Sequence, residues 1–364
     1  MTRVGIVGGG QLGMMLAEAG VPLGIQCVAL DPIDDAPASR ACPLIVAPYH
    51  DPVGLAELAA ASDVATYEFE NVPVEAAAFL EDLVPVLPLP GALQIAQDRL
   101  LEKTLFEDIG LPVAPWAPVA SEEELAEALD QVGVPSVLKT RRMGYDGKGQ
   151  VRLASVDDAE AAWASLGEAP SILESLVEFD RELSILAVRS RDGSEAFYPL
   201  VENEHRGGIL HVSVAPAPGV SQELQATAES HARAVMDRLA YAGVLAIELF
   251  QVGDGLLGNE LAPRVHNSGH WTIEGAPTSQ FENHLRAICG LELGPTTPSA
   301  YSVMVNLVGR MPPDGTIPDR SDVHIHAYGK HERPGRKLGH ATVVGEDRDT
   351  VFSVLQLITR SADI

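Results

Sequence analysis

The run Val4-Gly5-Ile6-Val7, leading straight into Gly8-Gly9-Gly10-Gln11-Leu12-Gly13, constrains this chain more than any other feature. A short apolar run that ends in clustered glycines reads as a buried strand turning tightly into a helix. Glycine permits the tight turn and lets backbone N–H groups at the helix N-terminus face an anion. Residues 11–20 then read as a helix and residues 25–30 as a second strand ending at Asp31, which completes a βαβ unit. Gly8, Gly10 and Gly13, with Asp31 eighteen residues beyond Gly13, also match the fingerprint of dinucleotide-binding domains. Alone, this pattern suggests an NAD(P) enzyme or a nucleotide-binding regulator. Its physical content is narrower: the turn suits a phosphate or another nucleotide part.

The α/β alternation continues through strand-like segments at 64–70 and 84–88 and stops near Pro88-Leu89-Pro90-Gly91, a natural domain end. Residues 92–109 read as a helix carrying Asp98, Arg99 and Lys103, and Pro112, Pro115 and Pro118 mark an extended link. A smaller α/β unit follows, with a helix at 121–132, a strand at 136–140, a loop at 143–150, a strand from Val151 and a helix at 156–166. The strand 171–175 leads into a larger region with a helix at 221–241 and further strands. The division expected is residues 1–95, 96–173 and 174–364.

Composition bounds the function. No apolar run reaches the roughly 18–20 residues a membrane span needs, and glycines break the N-terminal stretch too early for a signal peptide. Three cysteines, Cys27, Cys42 and Cys289, are odd in number and far apart, which disfavours a disulfide framework and leaves a reducing cytoplasm as the default. A formal charge of −26 argues against nucleic acid or a membrane surface as partner. The chain has only five lysines, and four of them (Lys139, Lys148, Lys330 and Lys337) lie in two glycine-containing basic segments. A compact ammonium at those points suits phosphate binding.

Lys139 ends an apolar strand ahead of Gly144-Tyr145-Asp146-Gly147-Lys148-Gly149-Gln150. Three glycines leave this loop free to fold over a polyphosphate while the lysines supply charge, although no Walker A pattern is present. Glu248 stands in an otherwise apolar strand, and Asn259-Glu260 ends a second one across the turn Gly253-Asp254-Gly255. Buried carboxylates are costly unless paired or metal-bound. Glu248, Glu260 and the Asn259 side-chain oxygen therefore read as a hard-oxygen site for Mg²⁺ against ATP phosphates. Arg264, His266 and Asn267 follow directly and crowd polar donors beside that metal. Lys330, Arg333, Arg336 and Lys337 surround Pro334-Gly335 and form a receptor for a phosphomonoester.

Together, Lys139, the GYDGKGQ loop, Glu174, Glu182, Glu248, Asn259-Glu260, APRVHNSGH and KHERPGRKLGH resemble the 5-(carboxyamino)imidazole ribonucleotide synthases, ATP-grasp ligases of de novo purine synthesis. The resemblance spans nearly the whole chain. APRVHNSGHW and RPGRKLGH are its specific parts, and GGGQLG alone is weak. Lys148 stands where relatives can have arginine, which keeps the charge. The resemblance implies an ATP-grasp fold with an N-terminal Rossmann-like domain, a small lid domain and a larger C-terminal α+β domain. It also implies a cytoplasmic homodimer that uses ATP, Mg²⁺, bicarbonate and aminoimidazole ribonucleotide. By the same resemblance, Arg99, Lys139 and the 144–150 loop hold the triphosphate. Glu174, Ser175, Leu176 and Val177 form the adenine hinge, Glu182 binds ribose, and His205, Asn259 and Glu260 lie by the nucleotide. Glu248 and Glu260 carry magnesium. Tyr145, Asp146, Arg264, His266, Asn267, Lys330, Arg333, Arg336 and Lys337 serve the ribonucleotide, with Asp146, Arg264 and Lys330 as the catalytic set.

The chemistry implied is an acyl-phosphate route. Bicarbonate attacking the γ-phosphorus brings anions together, so cations must neutralise the repulsion. Carboxyphosphate hydrolyses readily, so a closing loop must exclude water. A formate-using transformylase of the same fold is the rival within the class. The glycine fingerprint keeps an NAD(P)-dependent dehydrogenase as the rival outside it.

Overall fold

In the computed structural model, residues 2–144, 147–298, 300–313, 315, 317 and 320–362 are described. Among them the strands form three sheets. The first is parallel, in the order Leu44–Val46, Gln26–Asp31, Arg3–Val7, Val64–Tyr67. Val4 and Ile6 are fully buried, as the apolar runs of a sheet covered on both faces require. The helix Gln11–Gly20 lies so close to the first strand that a Cβ on Gly13 would sit 2.8 Å from the Gly8 carbonyl oxygen. Only glycine allows that approach.

Three segments in the first third of the chain differ from the sequence reading. The strand expected over 64–70 stops at Tyr67, so Phe69 and the flanking Glu68 and Glu70 leave the sheet at its C-terminal edge. Residues 84–88 contribute only a single bridge, Ala65 to Val86. The helix expected over 92–109 is two helices, Pro90–Ala96 and Arg99–Asp108. Asp98 separates them because its carboxylate caps the second one, accepting from the Leu100 N–H at 3.2 Å.

The second sheet is antiparallel, in the order Trp116–Val119, Ser171–Ser175, Ser136–Thr140, Gln150–Leu153. It shares a core with the helices Glu122–Val132 and Ala159–Ser165 through Leu125, Leu129, Leu138, Trp163 and Leu173. The strand Ser171–Ser175 pairs on both sides within this sheet, so the unit runs to Ser175 and the break expected after residue 173 falls inside a strand.

The third sheet has nine strands among the described residues. Its path runs Gly255–Ala262, Gly243–Val252, Arg181–Arg189, Val201–Arg206, Ile209–Ala215, Tyr301–Val308, Lys337–Gly345, Val323–Ala327, and Glu195–Phe197 pairs with Arg181–Arg189. Pro199, which cannot donate to a ladder, separates the strands Glu195–Phe197 and Val201–Arg206. Helix Gln222–Arg238 covers this sheet through Ala228, Ala232, Val235 and Met236, and stops short of the 241 expected. Helix Gln280–Cys289 packs Phe281, Leu285 and Ile288 against Leu12, Met15 and Leu16 of the first helix. Among the described residues no helix is long and apolar enough to cross a membrane.

Candidate active site

The three sheets converge on a cleft of about 1300 Å³. The parallel sheet contributes Gln11, Glu68 and Glu70, the small sheet Lys139, Gly147 and Glu174, and the large sheet Glu248, Glu260 and Arg264.

At one end Glu174, only 4 % exposed, gathers two lysines, Lys139 at 3.1 Å and Lys103 at 3.3 Å. Burial pushes the Glu174 carboxyl up, but Lys139, Lys103 and Arg99 outweigh it and hold it at about 2. Burial lowers the Lys139 ammonium against the pull of Glu174. Lys103, fully buried, also donates to the Asn259 carbonyl at 2.8 Å, which ties the small sheet to the strand bearing Glu260. Ser175, Leu176 and Val177 line the same end, beside the stacked rings of Phe179 and Phe250 at 4.7 Å. An aromatic pair next to exposed backbone suits a flat heterocycle. His205 is ion-paired with Glu182, whose hydrogen bond raises the imidazole against the lowering effect of burial.

Gly147, Lys148 and Gln150 line the cleft, and Gly144 and Gly149 do not. Gly147 has φ +74°, and a Cβ there would meet the Gly207 carbonyl at 3.0 Å. Tyr145 and Asp146 lie outside the described residues. Arg141 and Arg142, which follow Lys139 closely in sequence, both turn to the buried Asp98, at 2.6 and 3.0 Å.

In the middle, the hairpin over Gly253-Asp254 sets Glu248 directly opposite Glu260. Burial, and then the neighbouring Glu260 charge, push the Glu248 carboxyl up to about 7. Arg99 is 3.9 Å from Glu260. Two carboxylates pressed together form a hard-oxygen donor pair suited to a divalent cation. Among the described residues, no group of three or more His, Cys, Asp or Glu side chains is placed to hold a metal. The pair therefore needs ligand oxygens to complete a shell.

At the far end Arg264 is ion-paired with Glu70, and His266 Nε2 lies 3.4 Å from Glu248. Both amide atoms of Asn267 are buried without a protein partner, although the residue lines the cleft. A buried polar group left so is the mark of a ligand position. Lys330 donates to the side chain of Gln11, and Lys337 lines the cleft. Arg333 is exposed, and Arg336 turns back to donate to the His331 carbonyl at 3.2 Å; neither lines the cleft.

The glycine turn does not offer its N–H groups as a dinucleotide cradle. Gly10 and Gly13 donate to Glu68 at 3.1 and 2.9 Å, and Gly9 donates to Asp31 at 2.8 Å. Asp31 also accepts from the Tyr49 hydroxyl at 2.7 Å, which leaves it badly placed for a ribose. Sequence reasoning assigned no role to Glu68 or Glu70. Their signal was present: carboxylates at the C-terminal edge of a parallel strand stand where open α/β sheets bind ligands.

A cleft between a small antiparallel sheet and a large one, with a strand-end lysine, a glycine loop and facing carboxylates, defines an ATP-grasp ligase. Family models agree along the chain: the ribonucleotide synthetase preATP-grasp domain matches residues 1–97, the ATP-grasp domain 104–281, and the phosphoribosylaminoimidazole carboxylase C-terminal domain 302–353. The N5-carboxyaminoimidazole ribonucleotide synthase of Pseudomonas aeruginosa is 51 % identical over 349 residues, 96 % of each chain. The crystal structure of the Thermus thermophilus synthetase superposes with a TM-score of 0.95 at 52 % identity, covering 98 % of both chains. An Aspergillus clavatus synthase solved with ADP and 5-aminoimidazole ribonucleotide gives a TM-score of 0.91 at 31 % identity, covering 100 % of this chain and 98 % of that one. The chain belongs to the N5-carboxyaminoimidazole ribonucleotide synthase family.

Proposed function

We propose that this ligase carboxylates 5-aminoimidazole ribonucleotide with ATP in purine biosynthesis, drawing the carboxyl group from bicarbonate through carboxyphosphate. One observation carries the reading: facing Glu248 and Glu260 stand between a lysine-bearing nucleotide end and the Arg264-His266-Asn267 cluster. ATP would lie along Glu174 to Val177, with Glu182 and His205 at its ribose and Arg99, Lys139, Lys148 and Asn259 at its phosphates. Glu248 and Glu260 fit Mg²⁺, which when bound would neutralise phosphate charge and align the transferred group. Arg264, His266, Asn267, Lys330 and Lys337 would hold the ribonucleotide and the carboxyl donor, and Tyr145 and Asp146 are assigned to the same substrate. Arg264 supplies a fixed cation for a carboxylate, and its pairing with Glu70 orients the guanidinium.

Residues 1–95 are proposed as the preATP-grasp unit, with the small sheet and the large sheet as the two halves of the grasp. A cytoplasmic homodimer is the proposed form. Phosphate release is the test. Rapid release is expected only when ATP, bicarbonate and aminoimidazole ribonucleotide are all present, with NADH absorbance unchanged. Equal release with formate in place of bicarbonate would overturn the carboxylation.

A further inference from the structure

His266 is held directly by Gln280 and Ser268 and, through Ser268, by a chain of polar groups on three strands. Its backbone is clasped by Gln280, the first residue of helix Gln280–Cys289, whose Oε1 accepts from the His266 N–H at 2.8 Å and whose Nε2 donates to its carbonyl at 2.7 Å. Its ring ends a buried chain of hydrogen bonds. Ser213 Oγ lies 2.8 Å from Asn203 Oδ1, Asn203 Nδ2 lies 2.9 Å from Ser184 Oγ, Ser184 Oγ lies 2.8 Å from Ser268 Oγ, and Ser268 Oγ lies 2.9 Å from His266 Nδ1. The three serines are fully buried and Asn203 is 7 % exposed. A partly satisfied network of this kind would be costly, so its proton positions are tightly set.

The direction of the chain follows from groups with only one role. The Ser268 backbone N–H points at His266 Nδ1 at 3.3 Å, and a backbone N–H can only donate. Nδ1 therefore carries a lone pair. At the far end Asn203 Nδ2 faces the Val201 carbonyl at 3.5 Å, and a carbonyl oxygen can only accept, so the amide end there is the NH₂. Asn203 then donates to Ser184, Ser184 to Ser268, and Ser268 to the ring. With Nδ1 an acceptor, the proton of the neutral ring sits on Nε2, the atom 3.4 Å from Glu248 at the cleft.

We infer that Ser213, Asn203, Ser184 and Ser268 are positioning residues that lock His266 as its Nε2–H tautomer. Its ring thereby donates a hydrogen bond into the cleft and does not serve as the base that deprotonates the acceptor amine. This rests on the proposed place of His266 in the acceptor half. A donor aimed at a carboxyl oxygen stabilises negative charge that develops there. The amine proton must leave to another acceptor.

Two measurements on the full-length enzyme test this. In ¹⁵N-histidine-labelled protein the His266 resonances, assigned by their loss in His266→Gln, should show a pyridine-type Nδ1 and a pyrrole-type Nε2 at neutral pH. A protonated Nδ1 would overturn the inference. In kinetics, His266→Gln keeps an N–H donor near the Nε2 position but has no basicity. It should turn over about tenfold or more faster than His266→Ala, in line with the worth of one preorganised donor. Equal loss in the two variants would overturn the donor role. Full turnover in His266→Ala would remove the premise and locate the fault in the site assignment, whatever the ring spectrum shows. Ser268→Ala and Ser184→Ala should each lower kcat and leave the KM for ATP within about twofold, since neither touches the nucleotide end. Wild-type kcat in both would overturn the positioning role.

Discussion

Glu248 and Glu260 stand at facing positions of one hairpin, and the Glu260 charge opposes ionisation of Glu248. Glu248 titrates near 7 in the folded chain, above its ordinary 4.5, first from burial and then from Glu260. A raised carboxyl favours the fold while protonated and loses that benefit as pH rises through 7. At pH 8, Glu260→Gln should therefore raise the unfolding free energy of the metal-free protein, because the charge that opposes ionisation of Glu248 is gone. The same variant should lose turnover by about a hundredfold or more, because the proposed metal site loses one of its two charges. Urea unfolding without metal, beside phosphate release at saturating Mg²⁺, reads both signs. A variant that is less stable and still active would sink the metal assignment.

Helix Gln280–Cys289 joins two sheets by means no hydrophobic pattern reveals. Its His284 accepts from the Val244 N–H of the large sheet at 3.1 Å and contacts the Thr66 hydroxyl of the parallel sheet at 2.9 Å. The ring must stay neutral to accept, and burial lowers it from 6.5 to about 4. The unfolded chain thus binds more protons between those values, and stability falls as pH drops from 6.5 toward 4. The loss from this residue is about 3 kcal/mol at 1.36 kcal/mol per unit. Buried His266, His270 and His340 are lowered as well and add to the slope. His284→Gln, which keeps an acceptor and a donor, should flatten the pH dependence of urea stability relative to wild type in that window. Parallel curves would contradict it. Elements with a clean period were legible in the sequence: the 11–20 helix, the 136–140 strand and the hairpin over Gly253. What was not legible depends on partners distant in the chain. Asp98 breaks a helix by capping Arg99–Asp108, and its buried carboxylate is held there by Arg141 and Arg142 from far downstream. Ser184, Asn203 and Ser213 look like ordinary strand polars until strand pairing aligns them. Lys139 and the glycines at 144, 147 and 149 stood out in the sequence because they are contiguous. The contact of Glu70 with Arg264 did not, since the two meet only through the fold.

At the scale of the whole molecule a charge of −26 surrounds a cleft that is close to balanced. Among the described residues, seven basic side chains line it: Arg99, Lys139, Lys148, Arg152, Arg181, Arg264 and Lys337. Eight glutamates among the described residues line it too: Glu68, Glu70, Glu174, Glu182, Glu202, Glu204, Glu248 and Glu260. Such a lining does not attract a bare polyanion, and it is better matched to nucleotide that brings its own divalent cation. Approach from solution is opposed by the outer charge over a distance that salt controls, about 30 Å at 0.01 M and 8 Å at 0.15 M. The kcat/KM for Mg·ATP should therefore rise by about threefold between those ionic strengths. A fall over the same range, in initial rates with magnesium held saturating, would show that local cations govern the encounter.

Glu68 holds the N–H groups of Gly10 and Gly13 much as a bound phosphate would in a dinucleotide domain. A side chain of the protein itself thus fills the anion site that the glycine fingerprint marks in its sequence. Whatever anion settles nearby must rely more on side chains such as Gln11 and Lys330 than on those two amides. A grip made of main chain is nearly immutable, because every residue except proline supplies the same N–H. One made of side chains can be rewritten a codon at a time, so selection can retune which small molecule this half of the cleft accepts while the turn and its glycines stay as they are.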